Sequence, residues 1–192
     1  MPQPWATLKT VTNHRQTSGP IEMAPSVGFP SVAATDASIL ILGSLPGRRS
    51  LEAQEYYAQP QNCFWKIMDE LFGAGPELPY AERLQHLTAN RIALWDVVAS
   101  AQRSGSLDTA IVRTSVQTND FHGFLSRHTE IGLVCFNGVK AAELYRRHVL
   151  PTLGGAFLTI RRETLPSTSP AHAAMPYSDK LRRWSTAIHA TR

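Results

Sequence analysis

Four short apolar runs are the feature that most constrains how this chain can fold. They are SILILG (38–43), RIALWDVV (91–98), EIGLVCFNG (130–138) and FLTIRRETLPS (157–167). Each run is short and rich in leucine and β-branched residues, which is typical of strands buried on both faces of a parallel sheet. Because segments of helical spacing separate the runs, the sequence predicts an α/β sandwich built around a mostly parallel sheet.

The predicted helices lie between and after these runs. Residues 63–72 place five apolar side chains on one face, and these are Phe64, Trp65, Met68, Leu71 and Phe72. Weaker amphipathic patterns cover 119–128 and 139–148. In the last segment, 178–190, Ser178 or Asp179 is the expected N-cap. Residues 1–25 show neither period, so we expect a flexible tail followed by a single domain over 26–192.

Composition and charge exclude several classes of protein. The 192 residues carry 19 Lys and Arg against 15 Asp and Glu, a net charge of +4 that would suit a polyanionic partner. The two cysteines, Cys63 and Cys135, belong to no Cys/His cluster, so no metal site and no cofactor is expected. No apolar stretch is long enough for a membrane span and no secretory signal is visible, which predicts a cytoplasmic protein. We expect it to be a monomer.

Three loops follow the predicted strands at the edge where α/β sheets bind ligands. The first, GSLPGRRS (43–50), is either a tight turn or a backbone that approaches a ligand closely, and it is not a Walker A loop. The second opens a helix with Asn137 and Gly138. The third, LPSTSPAHA (165–173), carries hydroxyls that could bind phosphate oxygens or form local turns, and the residues concerned are Ser167, Thr168 and Ser169. His172 is either a surface residue of this loop or a functional one.

Asn62 and Phe64 each allow two interpretations. Asn62 precedes the predicted helix and could cap its first N–H groups, or it could hold a water molecule. Phe64 could belong to the core, or its ring could stack on a flat substrate. Residues alone leave both pairs of interpretations open.

The order of the longer motifs resembles the uracil-DNA glycosylase superfamily and, within it, the hypoxanthine-DNA (deoxyinosine) glycosylase family. The motifs are GSLPG, YYAQPQNCFW, IALWDVVASAQRSGSLDTAI, FNGVKAAELY and LPSTSPAHA, and together they span roughly residues 27–190. The resemblance implies a three-layer α/β sandwich with a central, mostly parallel four-stranded sheet. It also implies a monofunctional enzyme of base excision repair, which flips a deaminated base out of DNA and hydrolyses its N-glycosidic bond.

Individual roles follow from the resemblance. Asn62 would orient the attacking water and Phe64 would stack on the extracted base. Ser44 stands where mismatch-specific uracil glycosylases have a water-positioning asparagine, which argues against chemistry of the uracil type. Ala171 stands where the well-studied uracil enzymes insert a leucine into the DNA, so the wedge is missing or another residue, such as His172, supplies it.

The remaining candidates surround the departing base. Hydrogen-bond donors for it are expected from the backbone of Gly43–Gly47, from Ser44 and from Asn137. Tyr57 would help to shape the pocket, and Asp96 would either read the base edge or brace the strand end. Arg48 and its neighbour Arg49 either contact phosphates or are solvated loop charges. The motif RSGSLD (103–108) belongs to the resemblance, but its physical role does not follow from the sequence.

Three alternatives to a hypoxanthine glycosylase stay open. The first is a uracil or mismatch-type DNA glycosylase with the same machinery and a different pocket. The second is a module that binds damaged DNA without cleaving it. The third is a hydrolase of free nucleosides, for which DNA affinity would show no dependence on salt.

Overall fold

A computed structural model describes residues 24–190, and its centre is a parallel sheet of four strands. The strands are β2 (Ile39–Gly43), β3 (Ile92–Asp96), β6 (Leu133–Asn137) and β7 (Arg161–Leu165). They lie in the order β3-β2-β6-β7, with β2 and β6 in the middle. The predicted four-stranded parallel sheet is therefore confirmed.

Helices cover both faces of this sheet. Along β2, Leu40 and Leu42 point to one face, where they join a core formed with α4 (Phe121–Arg127) and α5 (Val139–Leu144). Ile39 and Ile41 point to the other face and pack with α2 (Phe64–Phe72), α3 (Tyr80–Ala89) and α6 (Tyr177–His189). This alternation follows from the two-residue period of a strand. The arrangement is the three-layer sandwich that the resemblance implied.

A second, smaller sheet was not predicted. Its strands are β1 (Ser26–Val27), β4 (Val98–Ala101) and β5 (Gln117–Thr118), which pair antiparallel in the order β1-β4-β5. The run at 91–98 therefore contains a strand end and a change of direction, because β3 stops at Asp96 and β4 begins at Val98. Strands of two to four residues carry too little periodicity to be recognised in a sequence.

The helix ends differ from the predicted ones in several places. The expected N-cap of the last helix at Ser178 or Asp179 is wrong, because α6 begins at Tyr177 with Pro176 in the cap position. Two helices were missed, the six-residue α1 (Arg48–Ala53) and the largely polar α3. Residues Gly155–Thr159 form a 3₁₀ turn, so the last strand begins at Arg161. Beyond α5 the chain continues as a π-helical turn over Tyr145–Val149.

The predicted flexible tail, residues 1–25, lies outside the described residues except for its last two positions. The predicted domain boundary at residue 26 stays a prediction. Over residues 24–190, none of the helices combines the length and the apolar character that crossing a bilayer requires.

Candidate active site

A cavity of about 390 Å³ opens at the carboxyl edge of the parallel sheet. The sheet register aligns Gly43 with Asp96 and Asn137 with Leu165, so the ends of neighbouring strands lie side by side. The loops that follow β2 and β7 form most of the wall, together with the last residues of β3 and β6 and parts of the segments 56–62 and 106–109. A cavity of this size is within the usual range of about 300–1,000 Å³ for small-molecule sites.

The cavity collects eleven of the twelve residues that the sequence singled out. They are Gly43, Ser44, Arg48, Tyr57, Asn62, Asp96, Asn137, Ser167, Thr168, Ser169 and His172. Residues of the three loops thus meet around one space, although Gly43 and His172 are 129 positions apart in the sequence. The roles assigned to these residues stay predictions. The twelfth residue, Phe64, is not in the cavity wall.

Asn62 hydrogen-bonds to the start of α2 and also faces the cavity, and its role in holding a water molecule stays a prediction. Its Oδ1 accepts the N–H of Phe64 at 3.0 Å, so it caps the start of α2, and the residue also lines the cavity. The Asn62 N–H donates to the carbonyl of Gln59 at 2.8 Å, which fixes the backbone there. A carbonyl oxygen has two lone pairs, so the Oδ1 that caps the helix can still accept a hydrogen from water.

Phe64 is fully buried behind Tyr57. The two rings stack with centroids 3.9 Å apart and an interplanar angle of 25°, and Phe64 also contacts Trp184 edge to face. Tyr57 is the aromatic residue of this pair that lines the cavity, and its φ of 56° is unusual for a residue with a side chain. Stacking of Phe64 on a base stays a prediction, because in this structure a base would meet Tyr57 first.

Two carboxyl groups share the inner wall of the cavity. Asp96 is 3% exposed and its Oδ2 has no hydrogen-bond partner among the described residues. Burial, followed by repulsion from Asp108, raises the pKa of Asp96 to about 8, while Arg103 opposes the shift. Burial also raises the pKa of Asp108, and hydrogen bonding from Ser44 is the main opposing effect. Asp96 is therefore largely neutral at pH 7 and can donate a hydrogen bond.

Gly43 allows the Asp96 carboxyl to sit against the first turn. A Cβ at position 43 would overlap Oδ1 of Asp96 and would lie 3.1 Å from the Tyr57 hydroxyl. That hydroxyl is buried without a geometrically acceptable hydrogen-bond partner in the described part of the chain, and burial raises its pKa. The glycine thus serves close packing between β2, β3 and Tyr57, whether or not its backbone also meets a ligand.

Asn137 ties the second loop to the third. Its Nδ2 donates to Oγ1 of Thr168 at 2.8 Å, and its Oδ1 accepts the Thr168 N–H at 2.9 Å. The carbonyl of Thr168 in turn accepts the N–H of Cys63, next to Asn62, at 3.1 Å. Thr168 is 1% exposed, so its side chain positions these loops rather than offering a free hydroxyl. Gly138, at φ 99°, leaves room for Ser167, which a Cβ would approach to 2.9 Å.

The third loop is held in short turns and by a buried lysine. Oγ of Ser167 accepts the N–H of Ser169, and Oγ of Ser169 accepts the N–H of Ala171. Both hydroxyl hydrogens therefore remain able to donate to a phosphate. Lys180, 5% exposed, donates to the carbonyl of His172 at 2.8 Å and so restrains the backbone of the loop. The side chain of His172 is exposed.

Comparison with known proteins places this site in a family. Residues 29–188 match the family described as the uracil DNA glycosylase superfamily. The chain belongs to the uracil DNA glycosylase superfamily. It is similar to a protein of Methanosarcina acetivorans named hypoxanthine DNA glycosylase, with 39% identity over 67% of this chain and 86% of the relative. A protein of Methanosarcina barkeri with the same name is 38% identical over 60% of this chain and 73% of the relative.

A solved structure agrees with this assignment. It is an NMR structure of a Methanosarcina acetivorans protein described provisionally as a uracil DNA glycosylase. It superposes on this chain with a TM-score of 0.71 at 34% identity and covers 88% of this chain and 99% of the other. The α/β fold is therefore that of this glycosylase superfamily.

Sequence reasoning missed the part of the glycosylase site that comes from RSGSLD (103–108). Arg103 is 6% exposed, and its guanidinium donates to the carbonyls of Leu45 and Pro46. Oγ of Ser106 accepts the N–H of Arg48 at 3.1 Å. The segment thus holds the first turn in place and contributes Ser106, Leu107 and Asp108 to the cavity wall. Arg103 is the residue of this motif that could have indicated the role. Nothing near it in the sequence identifies its partners, which lie 57 and 58 residues away.

The described residues contain no group of three or more His, Cys, Asp or Glu suited to holding a metal ion. No lysine is found among the described residues that line the cavity. The polar side chains that line the cavity are amides, hydroxyls, two carboxyls, two arginines and one histidine.

Proposed function

We propose that this protein is a monofunctional DNA glycosylase that extrudes hypoxanthine from DNA and hydrolyses its N-glycosidic bond to leave an abasic site. The observation that carries the proposal is the cavity, which joins Asn62, the first turn and the Ser/Thr loop at the carboxyl edge of the sheet. The two curated relatives named hypoxanthine DNA glycosylase support the choice of base.

A base paired inside a duplex cannot reach such a cavity, so the nucleotide must rotate out of the helix. Extrusion costs a few kcal/mol, and the cost is smaller for a mismatched deaminated base, which is one source of selectivity. Arg48 and Arg49 are exposed at the mouth of the cavity, where they can contact phosphates, and the free hydroxyl hydrogens of Ser167 and Ser169 can do the same.

Water is the proposed nucleophile. The Phe64 N–H fixes the position of the Asn62 amide, whose second lone pair can orient a water molecule toward the sugar. An amide is too weak a base to take a proton early. The C1′–N9 bond therefore breaks first, with its electron pair going to the base, and water then adds to an oxocarbenium-like sugar. The cavity wall offers no lysine for a Schiff base among the described residues, which favours simple hydrolysis.

Asp96 is the proposed donor to the departing base. A neutral carboxyl can hydrogen bond to the purine as negative charge develops on it, and it brings no net charge close to DNA phosphates. The backbone of the first turn lies in the same wall and can contribute N–H donors, while the Ser44 hydroxyl hydrogen-bonds to Asp108. The balanced reaction converts the nucleotide and water into free hypoxanthine and an abasic deoxyribose, with one water proton ending on the base.

The first experiment is an excision assay on labelled duplexes that contain one deoxyinosine, one deoxyuridine or neither. Alkali after the incubation reveals abasic sites. Strand breakage at deoxyinosine, and only after alkali, is the expected result. Breakage at deoxyuridine alone would replace the proposal with a uracil-type glycosylase. Release of base from free nucleosides without salt-sensitive DNA binding would point to a nucleoside hydrolase.

Asn62→Ala is the matched test of the water-positioning role. We expect a loss of base release of about 10²–10⁴-fold with DNA binding nearly unchanged, because no phosphate contact is removed. Asn62→Ser retains a cap oxygen, so it should recover most of the roughly 1 kcal/mol of helix-cap stability without recovering activity. Parallel loss of folding stability, DNA binding and activity in Asn62→Ala, all restored by Asn62→Ser, would reduce Asn62 to a cap.

We propose, as finer expectations, that the protein acts as a monomer in the cytoplasm and on the chromosomal DNA there. Sedimentation of the protein with and without a deoxyinosine duplex tests this.

A further inference from the structure

Leu107 is an exposed leucine at the mouth of the cavity. Six large apolar side chains of the described residues are substantially exposed, and Leu107, at 59%, is the one among them that also lines the cavity. Single exposed leucines are common on protein surfaces. This one differs because of where its loop holds it.

The segment that carries Leu107 is anchored on both sides. Arg103 binds the carbonyls of Leu45 and Pro46, and Ser106 accepts the N–H of Arg48, so the residue just before Leu107 is tied to the first turn. On the other side, the Leu107 carbonyl accepts the N–H of Ala110 and begins a short 3₁₀ turn. The backbone is therefore restrained while the apolar side chain points away from the core.

The third loop also lines the cavity, and it carries no long, free apolar side chain there. Its exposed residues in the wall are Pro170, whose ring is fixed to the backbone, Ala171, a single methyl group, and His172, a polar ring. Extruding a nucleotide leaves a gap in the base stack, and architectural and repair proteins commonly fill such gaps with apolar residues. An alanine is too short to do so.

We propose that Leu107 is the wedge that enters the DNA base stack when a nucleotide is extruded into the cavity. The inference rests on the proposed function, since it assumes that the cavity receives a base from a duplex. Arg48, tied to Ser106 through its backbone, is an exposed cation next to this wedge, so a phosphate contact and the insertion would occur side by side.

The test compares Leu107→Ala with Val112→Ala. Val112 is also apolar and 40% exposed, lies five residues further along, and is outside the cavity wall, so it controls for loss of exposed apolar surface. For Leu107→Ala we expect single-turnover excision of hypoxanthine from a duplex to fall at least about tenfold, which corresponds to 1.4 kcal/mol. Excision from a single strand should stay within about twofold, because no stack must be opened. Leu107→Phe, which keeps a large apolar side chain, should retain most of the wild-type rate of excision from a duplex.

Base extrusion is measured separately from chemistry, by the fluorescence of 2-aminopurine placed beside the deoxyinosine. The wild type and Val112→Ala should raise this fluorescence on binding, and Leu107→Ala should not. If the wild type released no base, the proposed function would fail, while the fluorescence would still decide the wedge. Equal fluorescence in wild type and Leu107→Ala, or a loss seen only in His172→Ala, would overturn the role of Leu107.

Discussion

At the scale of single residues, the contact between Tyr57 and Phe64 decides which ring a base can meet. Tyr57 lines the cavity, and Phe64 lies directly behind it at stacking distance. An aromatic ring supported by a second ring is held rigidly, which lowers the entropy lost when a base stacks on it.

We therefore expect Tyr57→Ala to weaken the affinity for a deoxyinosine duplex by about 1–3 kcal/mol, the usual value of one base–aromatic stack. Tyr57→Phe retains the ring and should bind normally. Affinity is measured at equilibrium with every variant made in an Asn62→Ala background, because that substitution prevents base release during the measurement. Unchanged affinity in Tyr57→Ala, with a loss in Phe64→Leu, would mean that Tyr57 moves aside and that Phe64 stacks on the base as the resemblance implies.

The Asp96 carboxyl predicts a pH dependence with a definite sign. Its pKa is raised to about 8, so the neutral, donating form predominates below that pH and is lost above it. Burial is the largest cause of this shift; Asp108 adds to it and Arg103 opposes it. We expect single-turnover excision to fall as the pH rises through about 8.

Asp96→Asn is the control for this profile, because its amide retains an N–H donor that does not titrate in this range. The variant should lose the decline near pH 8 while remaining active. A wild-type rate that stays flat through pH 8, or a decline of the same size in Asp96→Asn, would remove Asp96 from the chemistry.

At the scale of elements, the segment 103–108 holds the first turn of the site. Arg103 is buried, and the two carbonyls that it satisfies would lose their donors if the side chain were shortened. Hydrogen bonds to a charged group contribute about 1.5–3 kcal/mol to stability.

Arg103→Met should therefore lower the free energy of unfolding by about 1.5–3 kcal/mol and reduce excision by displacing the first turn, as measured by urea denaturation and by single-turnover kinetics. Arg103→Lys, which can reach one carbonyl, should have an intermediate effect on both. Full activity in a destabilised Arg103→Met would show that the hydrogen bonds of Arg103 contribute to folding and not to excision.

Some elements were not predicted because their local sequence pattern is weak. The helix α3, YAERLQHLTA, is mostly polar, and its packed face consists of the buried Leu87 with Tyr80 and Leu84 partly buried. Helices of this kind are stabilised by tertiary packing more than by their own pattern. The strands β1 and β5 have two residues each, so only pairing with β4 makes them recognisable.

At the scale of the whole molecule, charge and shape bear on DNA binding together. The net charge is +4, and the exposed arginines 48 and 49 lie at the cavity mouth. Neutralising a phosphate releases counterions, so affinity for DNA should fall as salt rises.

Arg48→Ala should reduce the slope of log affinity against log salt by about one, with similar losses on duplexes with and without deoxyinosine. The matched control is Arg161→Ala, since Arg161 begins β7 at the opposite edge of the sheet. Equal slopes for the wild type and Arg48→Ala would classify Arg48 as a solvated loop charge.

The sequence by itself determined the sheet and the location of the site. Runs such as SILILG carry the local preference for buried parallel strands, and parallel strands place their following loops at one edge. For this reason the sequence alone groups Ser44, Asn137 and Ser167 at one edge of the sheet. These properties depend on neighbours within a few positions, which a sequence displays directly.

Only the tertiary structure decided the burial, the charge environment and the contacts of the grouped residues. Burial and a second carboxyl raise the pKa of Asp96, Tyr57 covers Phe64, and Arg103 clamps a turn 57 residues away. Leu107 is exposed at the cavity mouth because its loop is tied to that same turn. Each of these depends on burial or on contacts beyond a single helix or strand, and periodicity carries no information about such contacts.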